Sequence, residues 1–171
     1  MKIICIGRNF SDHAKELNNA QPTEPVVFLK PDTALLRNND PFFIPDFSND
    51  VHHEVELIVK INRLGKNIQP QFANKYFDEI GLGIDFTARD LQDDLKGKGL
   101  PWEKSKAFDS SAVISKNFIN KSAFEKINNI DFYLEVNGHK VQTGNTNQML
   151  FNIEELICYV SKYFTLKIGD L

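Results

Sequence analysis

The chain has 171 residues, 42% hydrophobic and 25% charged, a balance that fits one domain with a sizeable core and excludes a disordered chain. Its formal charge of −3, with no stripe of Lys and Arg, argues against nucleic acid as a partner, because phosphate binding needs a concentrated basic face. No apolar run reaches membrane-spanning length, and Met1–Gly7 is too briefly apolar for a secretory signal, so no membrane partner and a cytoplasmic location are expected. Cys5 and Cys158 lie far apart without metal-type spacing, which speaks against a disulfide framework.

In chain order, residues 2–6 read as a short buried strand ending at Gly7. Ser11 or Asp12 is placed to cap a short helix through about Leu17. Pro22, Pro25, Pro31, Pro41 and Pro45 then limit the chain to short extended pieces such as Val26–Leu29. Residues 54–61 are the clearest strand: Val55, Leu57, Val59 and Ile61 alternate onto one apolar face. A second strand is expected over Ile80–Asp85. Thr87 is placed to cap a helix running to the Lys96–Gly99 break, with Asp90, Asp93 and Asp94 on its solvated face. Asn137-Gly138 predicts a tight hairpin between residues 131–136 and 139–143. Asn152 with Glu155 three residues on forms a capping box ahead of an amphipathic helix over 153–164. Strands outnumber helices and lack regular helical crossovers, so the fold class is α+β, mostly β, with mixed sheets and no internal boundary across 1–171.

The chemistry concentrates at Glu54-Val55-Glu56. On a strand the two carboxylates share a face, and like charges so placed repel unless a cation or proton intervenes. Hard oxygen ligands suit Mg²⁺ or Mn²⁺, although an arbitrary Glu-x-Glu is more often the wet side of an edge strand. Asp85, where a strand gives way to a helix, would complete the set, with Arg89 and Gln92 one turn apart to grip an oxygen-rich ligand. His13 and Glu16 are likewise one helical turn apart, so the carboxylate can orient the imidazole. His52 and His53 look like ligands but are expected in structural or supporting roles, and His139 beside the hairpin turn is expected to be exposed.

These segments together resemble the fumarylacetoacetate hydrolase family. The likeness is carried by Gly7-Arg8-Asn9-Phe10 through Leu17, His52–Leu57, Ile84–Gln92, Lys106-Ala107-Phe108-Asp109, Val136-Asn137-Gly138 with Gln142, and Thr165–Asp170, all in the expected order. Phe10 stands where a tyrosine is common. The resemblance implies a rolled mixed β-sheet, a homodimer, and a metal held by Glu54, Glu56 and Asp85. It also implies substrate contacts from Arg89 and Gln92, an active-site lysine at Lys106, and water activation by His13 with Glu16. Taken alone, Lys106 would pass for a solvated lysine beside Lys98 and Lys104. Family members continue past Gly169-Asp170-Leu171 into a strand bearing Thr-Gly-Thr-Pro, so a single catalytic domain over 1–171, truncated at its C-terminal side, is expected.

The expected function is hydrolysis of a carbon–carbon bond in an acylpyruvate-like 2-oxo acid on Mg²⁺ (or Mn²⁺). Isomerisation of a hydroxyheptadienedioate or decarboxylation of oxaloacetate would use the same site, because each passes through a stabilised enolate. An inactive metal-binding or interaction module is the reading of another class.

Overall fold

The computed structural model describes residues 1–10 and 22–171. The expected helix over 11–17, with His13 and Glu16, lies outside the described residues. Strands β1 (Ile3–Gly7) and β2 (Val26–Lys30) pair antiparallel, Cys5 opposite Phe28. The central sheet is built on β3 (Val51–Ile61) and β4 (Phe77–Ala88), with short helix α1 (Pro70–Ala73) between them. Both strands are longer than the sequence pattern predicts, because their ends pair with each other: Val51 faces Ala88 and Ile61 faces Phe77. Two short strands, β5 (Ala112–Ile114) and β6 (Ile119–Asn120), pair with successive parts of β4. The ladders among the described strands are antiparallel, and an isolated bridge between Leu35 and Ala112 is parallel.

Helix α2 (Arg89–Gly97) follows β4 directly, and α3 (Glu103–Lys106) follows after one turn. Thr87 does not cap α2. The strand runs on through Ala88, which occupies the cap position without a side-chain bond, and Thr87 is fully buried. The first amide of α2, Arg89 N, instead donates to Asp50 O at 2.8 Å. Asp90 is also corrected: it accepts from Ser48 Oγ (2.6 Å) and Asn49 N (2.9 Å), tying the 48–50 loop to the helix, while Asp93 and Asp94 are exposed as expected.

The hairpin of β7 (Asp131–Val136) and β8 (His139–Asn145) turns at Asn137 (φ 53°) and Gly138 (φ 79°). Positive φ at both residues is the turn that matches strand twist, and Gly138 adopts it without a Cβ penalty. Helix α4 (Ile153–Tyr163) begins with both halves of the capping box: Glu155 N donates to Asn152 Oδ1 (2.9 Å) and Asn152 N to Glu155 Oε2 (2.8 Å). Its Ile153, Ile157 and Val160 recur at helical spacing and bury against Ile61, Phe77, Ile80 and Leu166, forming the main core. The chain end lies alongside β1 and β3: Ile4 N donates to Leu171 O and Ile61 N to Asp170 O. Among the described residues no helix is long and apolar enough to cross a membrane.

Candidate metal and 2-oxo acid site

The alternation of β3 puts Glu54 and Glu56 on the face opposite the core, and the β3–β4 register sets Asp85 directly across from Glu54. Glu56 faces Gly83, where a Cβ would lie 2.5 Å from Val113 O and from Ile58 Cδ1, so no larger residue fits there. The result is a trio of carboxylates whose nearest oxygens all lie within 4.8 Å of one another, at the wall of a cavity of about 250 Å³.

Cations surround this trio. Lys106, at the end of α3, is buried and donates to Glu54 Oε2 (2.7 Å), Asp85 Oδ2 (2.8 Å) and Thr87 Oγ1 (2.7 Å). Lys98 and Lys104 are exposed, whereas Lys106 is buried. Arg89, at the start of α2, reaches back to Glu54, donates to Gln92 Oε1, and places Nε 3.3 Å from His52 Nδ1. His52 thus supports Arg89, and its Nε2 lies 3.0 Å from Asp50 Oδ1. His139 is exposed.

Electrostatics split two glutamates only two residues apart. Burial raises the Glu54 carboxyl, but Lys106 and Arg89 outweigh it and bring the group down to about 2. Burial pushes Glu56 well above the usual carboxylate range, with the charges of Asp85 and Glu54 adding to it. Glu56 makes no ion pair among the described residues, and its burial therefore goes uncompensated. Burial also lowers Lys106, but Asp85 and Glu54 more than reverse this and keep it a charged donor.

Sequence reasoning assigned no site role to three contributors. Lys30 ends β2 buried at 3% exposure, with Nζ 2.9 Å from Asp85 Oδ1 and hydrogen bonds to Ser111 and the Lys106 carbonyl. A lysine closing a four-residue apolar strand was the available signal. Thr87, read as a cap, instead accepts from Lys106. Gln142 of β8 lays its amide across the outer side of β3: Val55 N donates to its Oε1 (2.9 Å) and its Nε2 donates to His53 O (2.8 Å). Those two bonds bracket Glu54.

The donor set fits a hard divalent cation. It is all oxygen, three carboxylates converge, and Asp85 Oδ1 is buried without an aligned hydrogen bond despite its ion pair with Lys30.

An α+β domain with a partly buried trio of carboxylates that could hold a metal ion is the architecture of an enzyme site. The model of the fumarylacetoacetate (FAA) hydrolase C-terminal domain matches residues 2–171, and the chain belongs to that family. It is 44% identical to a mitochondrial oxaloacetate decarboxylase of Dictyostelium discoideum, covering 99% of this chain and 78% of the relative. Oxaloacetate tautomerase YcgM of Escherichia coli K12 is 43% identical over the same shares. Among solved structures, a fumarylacetoacetate hydrolase family protein of Yersinia pestis superposes with TM-score 0.92 at 42% identity, over 99% of this chain and 77% of that one. A fumarylpyruvate hydrolase of Pseudomonas aeruginosa, in complex with Mn²⁺ and pyruvate, gives 0.90 at 30% identity, over 99% and 75%.

Proposed function

We propose that this protein is a metal-dependent enzyme of oxaloacetate, working through the enolate of that acid in decarboxylation or keto–enol tautomerisation. The carrying observation is the convergence of Glu54, Glu56 and Asp85 within 4.8 Å, with the buried Lys106 ammonium against two of them. The names of the similar oxaloacetate enzymes favour this over the acylpyruvate hydrolysis expected from the sequence.

Glu54, Glu56 and Asp85 would hold Mg²⁺ or Mn²⁺, which when bound supplies positive charge to the carboxylate and 2-oxo oxygen of the substrate. Lys106, whose three donors are held by Glu54, Asp85 and Thr87, contributes a fixed positive charge beside the carboxylate trio, where charge would develop on the substrate oxygen. Arg89 and Gln92, bonded to each other on one face of α2, orient the substrate carboxylate. In decarboxylation the bond between C3 and the C4 carboxylate breaks, its electron pair moves toward the 2-oxo oxygen, and C3 then takes a proton to give pyruvate. In tautomerisation a proton moves between C3 and that oxygen instead.

Hydrolysis of an acylpyruvate is the second reading, favoured by the likeness to the fumarylpyruvate hydrolase that holds pyruvate. It would also need His13 and Glu16 to activate water.

The test follows oxaloacetate and an acylpyruvate separately, with Mg²⁺, with Mn²⁺ and with chelator. The expected outcome is metal-dependent consumption of oxaloacetate, faster than acylpyruvate cleavage. Glu54→Gln should weaken metal binding by calorimetry about 100-fold, at least as much as losing a group that merely supports a ligand. Consumption of oxaloacetate that survives chelation, or unchanged metal affinity in Glu54→Gln, would sink the proposal.

A further inference from the structure

Gly7-Arg8-Asn9-Phe10 carries part of the family likeness, yet Arg8 has no task in the site above. Its backbone is left-handed, with φ 59°, a conformation uncommon for a residue with a Cβ. The surrounding structure enforces it from both sides. Gly7 pairs with Val26, while Asn9 is buried and clamped to the chain near 150–151: Leu150 N donates to Asn9 O, Phe151 N to Asn9 Oδ1, and Asn9 Nδ2 to Phe151 O.

This turn lays the Arg8 guanidinium over Trp102, with Cζ 5.6 Å from the ring centroid. Its Nε is buried and has no hydrogen-bond acceptor among the described residues. Lys96 reaches the same ring, Nζ 5.7 Å from the centroid. Lys96 also follows Arg89 and Gln92 on one face of α2, four residues beyond Gln92, so the helix presents all three to one cavity. Burial lowers the Lys96 ammonium below its ordinary range, and the neighbouring charges of Arg8, Arg89 and Lys106 add to this. Its carboxylate neighbour, Asp93, is 3.9 Å away with a side chain 69% exposed, a partner screened by water.

Among the described residues, the cavity wall carries five cationic side chains and three carboxylates. Lys30, Arg89 and Lys106 are paired with those carboxylates. Arg8 and Lys96 are the surplus, partly desolvated and set on an aromatic ring. A buried guanidinium nitrogen without an acceptor is costly unless something that enters the cavity supplies one.

We propose that Arg8 and Lys96, held on Trp102, form a subsite for the second carboxylate of a dicarboxylic 2-oxo acid and select dianionic over monoanionic substrates. This rests on the reading of Glu54, Glu56 and Asp85 as the seat of the 2-oxo carboxylate. Charge-assisted bonds to the distal carboxylate give the dianion its advantage, and pyruvate, which lacks that group, gains nothing from them.

The chain has one tryptophan, so Trp102 emission reports the subsite directly. Mg²⁺-loaded protein is titrated with oxaloacetate and with pyruvate, the former read by stopped flow before turnover. Oxaloacetate should bind at least about 10-fold tighter, and Arg8→Met and Lys96→Met should each cut that preference about 10-fold or more, as expected for one charged hydrogen bond. Pyruvate affinity should stay the same, and Arg8→Lys should restore part of the preference. Lys96→Met carries the test if Arg8→Met fails to fold, with circular-dichroism melting as the check. A preference retained in Lys96→Met, or equal losses for both ligands, overturns the subsite. Wild type that binds pyruvate without preferring oxaloacetate defeats the subsite alone; wild type that binds neither defeats the underlying reading and the subsite with it.

Discussion

The two faces of β3 meet opposite environments. On one, Leu57, Val59 and Ile61 join Phe77, Ile157 and Val160 in a core whose stability comes from apolar area removed from water. On the other, two residues of separation are enough to hold Glu54 far below and Glu56 far above the usual carboxylate range. The first face tolerates substitutions that keep volume, because dispersion and burial are non-directional. The second depends on charges matched one against another, where removing a single partner leaves a buried ion unpaired. A single strand therefore joins a robust half of the molecule to a brittle half, and the brittle half holds the proposed metal site.

Phe77→Ala should have the largest effect on stability, because Phe77 is fully buried: a loss of about 3–5 kcal/mol by denaturant unfolding. Metal affinity measured below the transition should not change. If it falls tenfold, the two faces are coupled and the division is wrong.

Lys30→Met tests the charged half. Lys30 and Asp85 are both buried, so the metal-free variant should lose about 3 kcal/mol by taking the partner from Asp85 Oδ1 and leaving the carboxylate with Lys106 alone. A divalent cation should recover more of that loss than it adds to wild type, seen as a larger rise in Tm on adding Mg²⁺. An equal rise in both proteins would show that Asp85 does not face the ion.

Asp170 belongs to neither face and gives the smallest effect. Burial raises its carboxyl, but bonds from Lys2 N (2.8 Å), Lys167 N (2.8 Å) and the Lys2 ammonium bring it below the ordinary aspartate range. A depressed acid stabilises above its unfolded pKa, and that contribution is lost as pH falls through the folded one. Asp170→Asn should cost about 2 kcal/mol at pH 7, and the gap from wild type should close in acid. A gap that is constant down to pH 3 would mean that the charge contributes nothing.

Much of the fold was legible because it is local. Alternation in 55–61, the Asn137-Gly138 turn and the Asn152–Glu155 box each need only neighbours in sequence. The carboxylate pair on β3 was legible for the same reason. What escaped depends on distant partners. Thr87 carried a cap-like signature, but pairing of His52 with Thr87 extended the strand past it and turned the hydroxyl toward Lys106. Lys30 acquires its meaning from Asp85 and Ser111, and Asp90 from Ser48, none of which their own segments announce. Arg8 was read as part of a likeness, and only its left-handed turn over Trp102 gives it a use.

The amide of Gln142 also links two separate sheets. Among the described strands, β3 pairs with β4 alone, on one side. By answering one N–H and one C=O beside Glu54, Gln142 imitates a neighbouring strand on the other side. The two bonds that flank Glu54 thus let a side chain of one sheet steady a strand of another.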